Sequence, residues 1–160
     1  MVRPFLSAAL ASLALLGACA TTGGTPATVA DATARNPQLS TLNKLIGDAG
    51  LADTLRGPGP YTVFAPSDAA FQALPPKTLA ELAGNKALLK DVLSYHVLPA
   101  KVAAAQVANG NAKTVQGASL ALAKSGGFVT VEDAMVTQAD LGAGNGVVHV
   151  IDRVLLPPKK

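Results

Sequence analysis

The chain has few of the side chains on which most catalytic, metal and nucleic-acid sites depend. Among its 160 residues there is no tryptophan, there are two histidines, and there is a single cysteine, Cys19, so no disulfide can form within the chain. Aromatic residues make up 4%, which leaves alanine, valine and leucine to build the core. The net charge is +3 and no Lys/Arg cluster precedes the two terminal lysines, so we expect no nucleic-acid partner.

The N-terminus has the pattern of an export signal. Arg3 precedes an apolar run over residues 5–16 that is too short to remain in a bilayer as a spanning helix. The run ends in Leu-Gly-Ala-Cys at residues 16–19, which resembles the lipobox of bacterial lipoproteins. This resemblance implies removal of residues 1–18 as a signal peptide and lipidation of Cys19. An ordinary secretory signal cleaved near the cysteine is the alternative.

The rest of the chain predicts a short linker followed by one domain. Residues 19–27 are uncharged and rich in Thr, Gly and Pro, which is typical of a flexible tether, and residues 28–158 would form the domain. Helices are predicted at residues 29–35, 40–49 and 51–55, after a cap at Thr78, and after a cap at Asn85. Strands are predicted at residues 61–65, 95–98, 113–115, 119–123, 128–131, 135–136 and 147–151. Helices first and strands later indicate an α+β fold.

The segment at residues 61–71 combines the end of a strand with the start of a helix. Its β-forming side chains are Thr62, Val63 and Phe64. Pro66 holds the residue before it extended, Ser67 offers a hydroxyl as a helix cap, and Asp68 places a negative charge at the helix start. Phe71, one turn later, can fold back onto the sheet. The segment therefore predicts a structural role, in which a buried strand passes directly into a helix that packs on the sheet.

The C-terminal part of the chain contains a turn and a second valine-rich strand. A glycine cluster at residues 142–146 is followed by a strand and not by a helix, so it predicts a turn, with Asn145 and Gly146 supplying positive φ angles, rather than a phosphate loop. Along the strand His149 shares one face with Val147 and Ile151, which predicts a buried, neutral ring bonded to a neighbouring element.

The remaining polar side chains do not form a recognisable catalytic or metal site. Tyr95 and His96, if extended, point to opposite faces, so one should be buried and the other should lie nearer the surface. A zinc site needs more ligands than His96 and His149 supply. Ser67 and Ser94 lack the strained turn of a nucleophile. We therefore expect no enzyme activity, no metal and no cofactor.

Three stretches of the chain resemble the fasciclin domain family and occur in the order that is typical of that family. Residues 61–71 are similar to its first signature, residues 145–157 to its second, and Tyr95-His96 occupies the place of its Tyr-His pair. The signature positions are Thr62, Phe64, Pro66, Ser67, Asp68, Phe71, Asn145, Gly146, His149 and Asp152. The resemblance implies a β-wedge or sandwich of short strands with N-terminal and edge-packed helices. It predicts that Val63 and Val148 are partners in one sheet.

The resemblance also implies a function in binding. Fasciclin domains act mostly in adhesion, so we expect a non-enzymatic module, lipid-anchored through Cys19 to the bacterial envelope at the outer membrane or the periplasmic face. Its partner would be a surface protein or a polysaccharide, and the protein would be monomeric or weakly self-associating. In animal members the Tyr-His region is linked to integrin recognition, which makes Tyr95 and His96 candidates for binding or for structure. A small-ligand or lipid-binding protein and a structural or stress-related envelope component are the alternatives.

Overall fold

A computed structural model describes residues 24–158 of the protein. The predicted signal peptide, Cys19 and residues 20–23 of the predicted tether lie outside the described residues. Within that range no helix has both the length and the apolar character needed to cross a bilayer. The Gly144 N–H donates to the Pro26 carbonyl at 2.8 Å, so the chain already contacts the domain two residues before the predicted start at residue 28.

The described chain places most of its helices before most of its strands. The helices are α1 (Val29–Arg35), α2 (Ser40–Asp48), α3 (Ala52–Leu55), α4 (Asp68–Gln72), α5 (Pro76–Gly84) and α6 (Lys86–Tyr95), with 3₁₀ turns at Pro37–Leu39 and Ala104–Gln106. The strands are β1 (Tyr61–Pro66), β2 (Val97–Leu98), β3 (Gly110–Lys113), β4 (Ser119–Ser125), β5 (Phe128–Val131), β6 (Ala134–Ala143) and β7 (Gly146–Ile151). This arrangement confirms the predicted α+β class.

The strands form one mixed sheet in the order β2-β1-β7-β6-β5-β4-β3. β1 and β7 run parallel, and Val63 pairs with Val148, which confirms the predicted meeting of the two valine-rich segments. The other neighbours are antiparallel. Just after β3, the Val115 N–H donates to the Val97 carbonyl in β2 at 2.8 Å. This bond joins the two edges of the sheet and gives it a nearly closed, barrel-like shape.

The sheet separates two hydrophobic cores. One lies between the helices and β1 and β7, where Val63, Val148 and Val150 meet α1, α2 and α6. The other lies on the opposite face, where Phe64 and Ile151 meet the inward side chains of β4 and β5. All six residues of β7 are buried, because both of its faces are covered.

Two predicted elements near the middle of the chain are wrong. Thr78 does not cap a helix, because α5 begins two residues earlier at Pro76, whose fixed φ suits a first helical position. The strand predicted at residues 95–98 begins only at Val97, since Tyr95 ends α6 and His96 is its C-cap. Tyr95 continues the apolar stripe of α6 one turn after Val92, and that periodicity extends the helix.

The predicted strands of the second half differ from the observed ones mainly in length and position. β6 spans ten residues where two were predicted, because register shifts on either side of Gln138 interrupt its alternation. β3 lies about three residues earlier than predicted. The strand predicted at residues 128–131 is confirmed as β5, and tight turns precede and follow it.

Candidate functional site

The junction between β1 and α4 is built as the sequence predicts and has a second role. The Ser67 hydroxyl accepts from the Ala70 N–H at 3.3 Å and caps α4. Asp68 also reaches α2, where its carboxylate accepts from the Ser40 hydroxyl at 2.7 Å and from the Thr41 N–H at 2.8 Å. The bond from Ser40 has the largest effect on the pKa of Asp68, and together these bonds lower it. Asp68 therefore fixes the start of α2, which has no cap of its own.

The turn between β6 and β7 joins three separate parts of the domain. The Asn145 side chain accepts from the Val29 N–H at 2.7 Å and donates to the carbonyls of Leu55 at 2.8 Å and Gly57 at 2.7 Å. The predicted turn is confirmed, but the predicted positive φ angles are wrong, since neither Asn145 nor Gly146 adopts one.

Gly146 is required here for a different reason, the close approach of two strands. A Cβ at this position would overlap the Tyr61 carbonyl oxygen. The glycine therefore allows β7 to begin directly beside β1.

Asp152 and the other signature residues hold the far end of the same strands. The Asp152 carboxylate accepts from the Met135 N–H at 2.8 Å, and its own N–H donates back to Met135. Pro66 pairs with Ile151, and Phe71 packs in the core beneath the helices. Asp152, Pro66 and Phe71 therefore have structural roles in the fold.

Tyr95 and His96 are both buried, with 3% and 1% of their surface exposed, so the prediction that one lies near the surface is wrong. The Tyr95 hydroxyl lies 3.2 Å from the Ser119 carbonyl and 3.3 Å from the Glu132 carboxylate. Burial raises the pKa of Tyr95, and the negative charge of Glu132 raises it further. Its phenol is committed to contacts inside the domain.

His96 connects the end of α6 to the C-terminal segment. Its Nε2 accepts from the Leu155 N–H at 3.0 Å, so Nδ1 carries the proton and donates to the Val92 carbonyl at 2.7 Å. Burial lowers the pKa of His96 to about 4. The ring is neutral and fully bonded, and a direct binding role for Tyr95-His96 stays a prediction.

His149 is buried and neutral, as the strand alternation predicts, and it joins three elements. Its Nδ1 accepts from the Asp140 N–H in β6 at 3.1 Å, and its Nε2 donates to the Val102 carbonyl at 2.8 Å. The ring stacks on Phe64 of β1 with 5.6 Å between centroids. Burial lowers the pKa of His149, against smaller opposing effects of the Val102 carbonyl and the Asp140 charge.

The polar groups of the described domain do not assemble a reactive centre. Across residues 24–158 no three His, Cys, Asp or Glu side chains stand where they could hold a metal ion. Both histidine rings use both nitrogens in bonds to the backbone. Neither ring is therefore available as a general base or a ligand in this conformation.

The cavities differ from the apolar pocket that a small-ligand protein needs. A closed apolar cavity lined by Leu42, Val63 and Leu93 among others measures about 10 Å³, roughly the space of one water. The larger spaces are open clefts of about 500 Å³, one of them beside Arg35 and Gln138 and another beside Tyr95 and Glu132. They are bordered by polar and charged side chains together with apolar ones, among them Leu141 in the first cleft and Leu155 in the second.

An exposed apolar surface lies on the outside of β4, β5 and β6. Phe128 is 65% exposed and Met135 is 44% exposed. Thr130 pairs with Met135 and with Ala123, and it shares a face with Phe128 two residues away, so these side chains lie on one surface. We call this surface the outer β face, and its members are Ser119, Ala121, Ala123, Ser125, Phe128, Thr130 and Met135.

Comparison with known proteins identifies the family. Residues 37–157 match the fasciclin domain, and the chain belongs to this family. It is 44% identical over 133 residues to Protein sll1483 of Synechocystis, which covers 82% of this chain and 74% of the relative. Two proteins of Mycobacterium bovis are also similar over 135 residues. The immunogenic protein MPB70 is 40% identical (81% of this chain, 69% of the relative), and the cell surface glycolipoprotein MPB83 is 39% identical (81% and 60%).

The fold also matches a solved structure. The FAS1 domain pair of the insect cell adhesion molecule Fasciclin I aligns with a TM-score of 0.66 at 20% identity, covering 82% of this chain and 52% of that one. The present chain thus spans about half of that pair. The predicted family and the predicted fasciclin-like fold are both confirmed.

Proposed function

We propose that the protein is a non-enzymatic adhesion module of the bacterial cell envelope, held by lipid at Cys19, whose outer β face contacts a surface protein or polysaccharide. Membership of the fasciclin family supports the adhesive role, and so do two similar proteins, one described as a cell surface glycolipoprotein and the other as a cell adhesion molecule. Export and lipidation rest on the lipobox-like residues 16–19.

The position of the outer β face is the observation that carries this proposal. Pro26 contacts Gly144 at one end of β6, whereas Met135 stands near the other end. At about 3.3 Å per residue, and allowing for the register shifts in β6, these ends lie about 25 to 30 Å apart. The five residues 19–23 between the lipid and the described domain span at most about 17 Å.

Anchoring at Cys19 would therefore hold the Gly144 end of the domain near the bilayer. The outer β face lies toward the opposite end, where a partner can reach it. Its small side chains leave Phe128 and Met135 prominent, and the charged groups beside it, Lys113 next to Ser119 and Asp152 next to Met135, lie at its edges. Exposed apolar side chains grouped on one surface are typical of interaction sites.

Attachment of cells tests the adhesive role. A strain without the gene should attach less to surfaces and to other cells, and the wild-type gene should restore attachment. The double variant Phe128→Ser/Met135→Thr should not restore it, whereas Leu156→Ser, which changes a 50% exposed leucine outside the outer β face, should. Unchanged attachment of the deletion strain under every surface condition tried would remove adhesion as the role.

A further inference from the structure

One segment of the domain is held to the sheet through side chains. Residues 99–107, which we call the strap, connect β2 to β3 across the second hydrophobic core. Val107 is buried, and Val102 and Ala104 pack partly buried against that core. The strap therefore covers apolar side chains that would otherwise face water, with Phe64 among them.

Three strands each contribute a side chain that fastens the strap. The Thr62 hydroxyl in β1 donates to the Ala100 carbonyl and accepts from the Val102 N–H. His149 in β7 donates to the Val102 carbonyl at 2.8 Å. The third bond comes from β6, where the Asp140 carboxylate accepts from the Ala104 N–H of the strap at 2.8 Å.

His149 also fixes the residue that provides this third bond. Its Nδ1 accepts from the Asp140 N–H at 3.1 Å, and Asp140 has a φ angle of 58°, a left-handed conformation that is uncommon for a residue other than glycine. One imidazole thus holds the strap directly at Val102 and indirectly, through Asp140, at Ala104.

One of these contacts requires the neutral ring. A proton added to Nδ1 would point at the Asp140 N–H, so that two donors would face each other and the bond would be lost. The Nε2–H bond to the Val102 carbonyl survives protonation, but the closed strap would then hold a charged ring in a buried site, which disfavours the closed state.

We propose that the strap is an acid-released cover, opened by protonation of His149, whose release uncovers Phe64 and the neighbouring second core under acidic conditions. This inference does not depend on the proposed adhesive role. Opening places the ring in water, where its affinity for a proton returns to that of free histidine.

The charges around His149 set the direction of the response. The Asp140 carboxylate in β6 favours the protonated ring, Lys101 on the strap is exposed, and β1 presents Phe64 and Thr62, which do not titrate. Burial outweighs the carboxylate and lowers the pKa of His149 in the closed state. Because one proton is taken up on opening, acid favours the open state below about pH 6.5, by about tenfold in the opening equilibrium per pH unit until the closed ring also titrates.

Amide hydrogen exchange of the full-length protein between pH 7 and pH 4.5, corrected for intrinsic exchange rates, measures this opening. The N–H groups of Val102, Ala104 and Asp140 should lose protection by about tenfold per pH unit below pH 6.5. Those of Phe64 and Val148 in the central strands exchange by global unfolding, so their protection should follow the overall stability and stay above that of the strap amides at every pH. Equal protection at all five amides at each pH, or protection of the strap amides that does not change with pH, would overturn the proposal.

Variants assign the effect to one ring. In His149→Asn the side-chain oxygen can accept from the Asp140 N–H at any pH, so strap protection should become independent of pH. Asp140→Asn keeps an acceptor for Ala104 but removes the negative charge that stabilises the protonated ring in the closed state, so the strap should open more at pH 4.5 than it does in the wild type. His96→Gln is the control, because it removes the other buried imidazole, which fastens Leu155 and not the strap.

Each variant can also contradict the proposal. A strap that remains pH-dependent in His149→Asn, or one that loses its pH dependence in His96→Gln, would show that another group drives the opening. If His149→Asn does not fold, the titration of the wild-type protein and the opening of Asp140→Asn at pH 4.5 still decide the question.

Discussion

Asn145 shows how one side chain can stabilise contacts among distant parts of the chain. It bonds the first N–H of α1, the carbonyl of Leu55 at the end of α3 and the carbonyl of Gly57 just after it, over separations of 88 to 116 residues. A carboxamide is suited to this position because it offers a donor and an acceptor at once. The sequence alone identified Asn145 only as a turn residue, because its three partners lie far away in the chain.

Replacing Asn145 should destabilise the domain. Asn145→Ala leaves one N–H and two carbonyls without their partners, and we expect the free energy of unfolding to fall by about 2 to 4 kcal/mol in urea denaturation. Asn145→Asp should be at least as harmful, because a carboxylate would face the carbonyls of Leu55 and Gly57. The matched control is Asn85→Ala, which removes an exposed helix cap at a cost of about 1 kcal/mol. An Asn145→Asp variant as stable as the wild type would contradict this account.

Gly146 tests the close approach of β7 to β1. In Gly146→Ala the new methyl group would overlap the Tyr61 carbonyl oxygen, and since that atom belongs to the backbone, the strands must move apart. We expect a loss of about 3 kcal/mol in the free energy of unfolding.

Gly47→Ala is the control for this substitution. Gly47 lies in α2 with open space around its Cα, so an alanine there should stabilise the protein by about 0.5 to 1 kcal/mol. Equal stability of the two alanine variants would refute the steric reason for Gly146.

At the scale of elements, the boundary between β1 and α4 organises more than its own helix. Asp68 lies in the first turn of α4, yet its carboxylate bonds the first residues of α2. The sequence predicted the local part, the Ser67 cap, because the residues of a cap are neighbours. It could not predict the contact with α2, since Ser40 lies 28 residues away.

Asp68→Ala should weaken α2 and lower the free energy of unfolding by about 1 kcal/mol at neutral pH. Since the pKa of Asp68 in the folded state lies below its ordinary value of 3.8, this contribution is present above that value and is lost as the pH falls through the folded pKa. The difference between Asp68→Ala and the wild type should therefore shrink in urea titrations at acidic pH. Asp53→Ala, which removes only an exposed ion pair with Arg56, should change stability by less than about 0.5 kcal/mol. A larger effect from Asp53 than from Asp68 would contradict the assignment.

The success of the sequence prediction varies from element to element for physical reasons. β5 and β7 are short, rich in β-branched residues and bounded by turns, so their patterns are local and were predicted almost to the residue. β6 was missed over most of its length because exposed polar residues and two register shifts remove its alternation. The sequence favours a strand at Tyr95 because Val97 and Leu98 are β-formers and Pro99 ends the run. In the folded protein the apolar stripe of α6 continues to Tyr95, so the helix includes it.

For the whole molecule, two buried neutral histidines should make stability dependent on pH. The unfolded chain binds protons at His96 near pH 6.5, whereas the folded state binds them only near pH 4. The free energy of unfolding should therefore decrease by about 3 kcal/mol from this residue as the pH falls between these values, and His149 acts in the same direction. Urea denaturation at several pH values checks this, and equal stability at pH 7 and pH 4.5 would show that the histidines are not buried as neutral rings.

The proposed lipid anchor at Cys19 would be attached in the cell, so it is tested there. Cys19→Ser should yield an unlipidated precursor that takes up no labelled palmitate, while the wild type becomes labelled. Because the chain contains one cysteine, no other thiol can accept the acyl chain. Palmitate labelling of the serine variant would show that the lipobox interpretation is wrong.

The sequence predicted the family and the sheet pairing, which are both confirmed, but it did not indicate the surface that we propose for binding. Phe128 and Met135 are ordinary strand residues in the sequence, and only the completed sheet shows that their side is uncovered. Likewise, the partners of His149 lie 9 and 47 residues away, so the alternation of its strand could predict burial but not the strap.

Binding by the outer β face is measured most directly by the retention of envelope and matrix fractions on immobilised full-length protein. Wild type and Leu156→Ser should retain the same protein or polysaccharide, and Phe128→Ser/Met135→Thr should lose it while unfolding at the same urea concentration as the wild type. Undiminished retention by the double variant would contradict the proposed role of this surface.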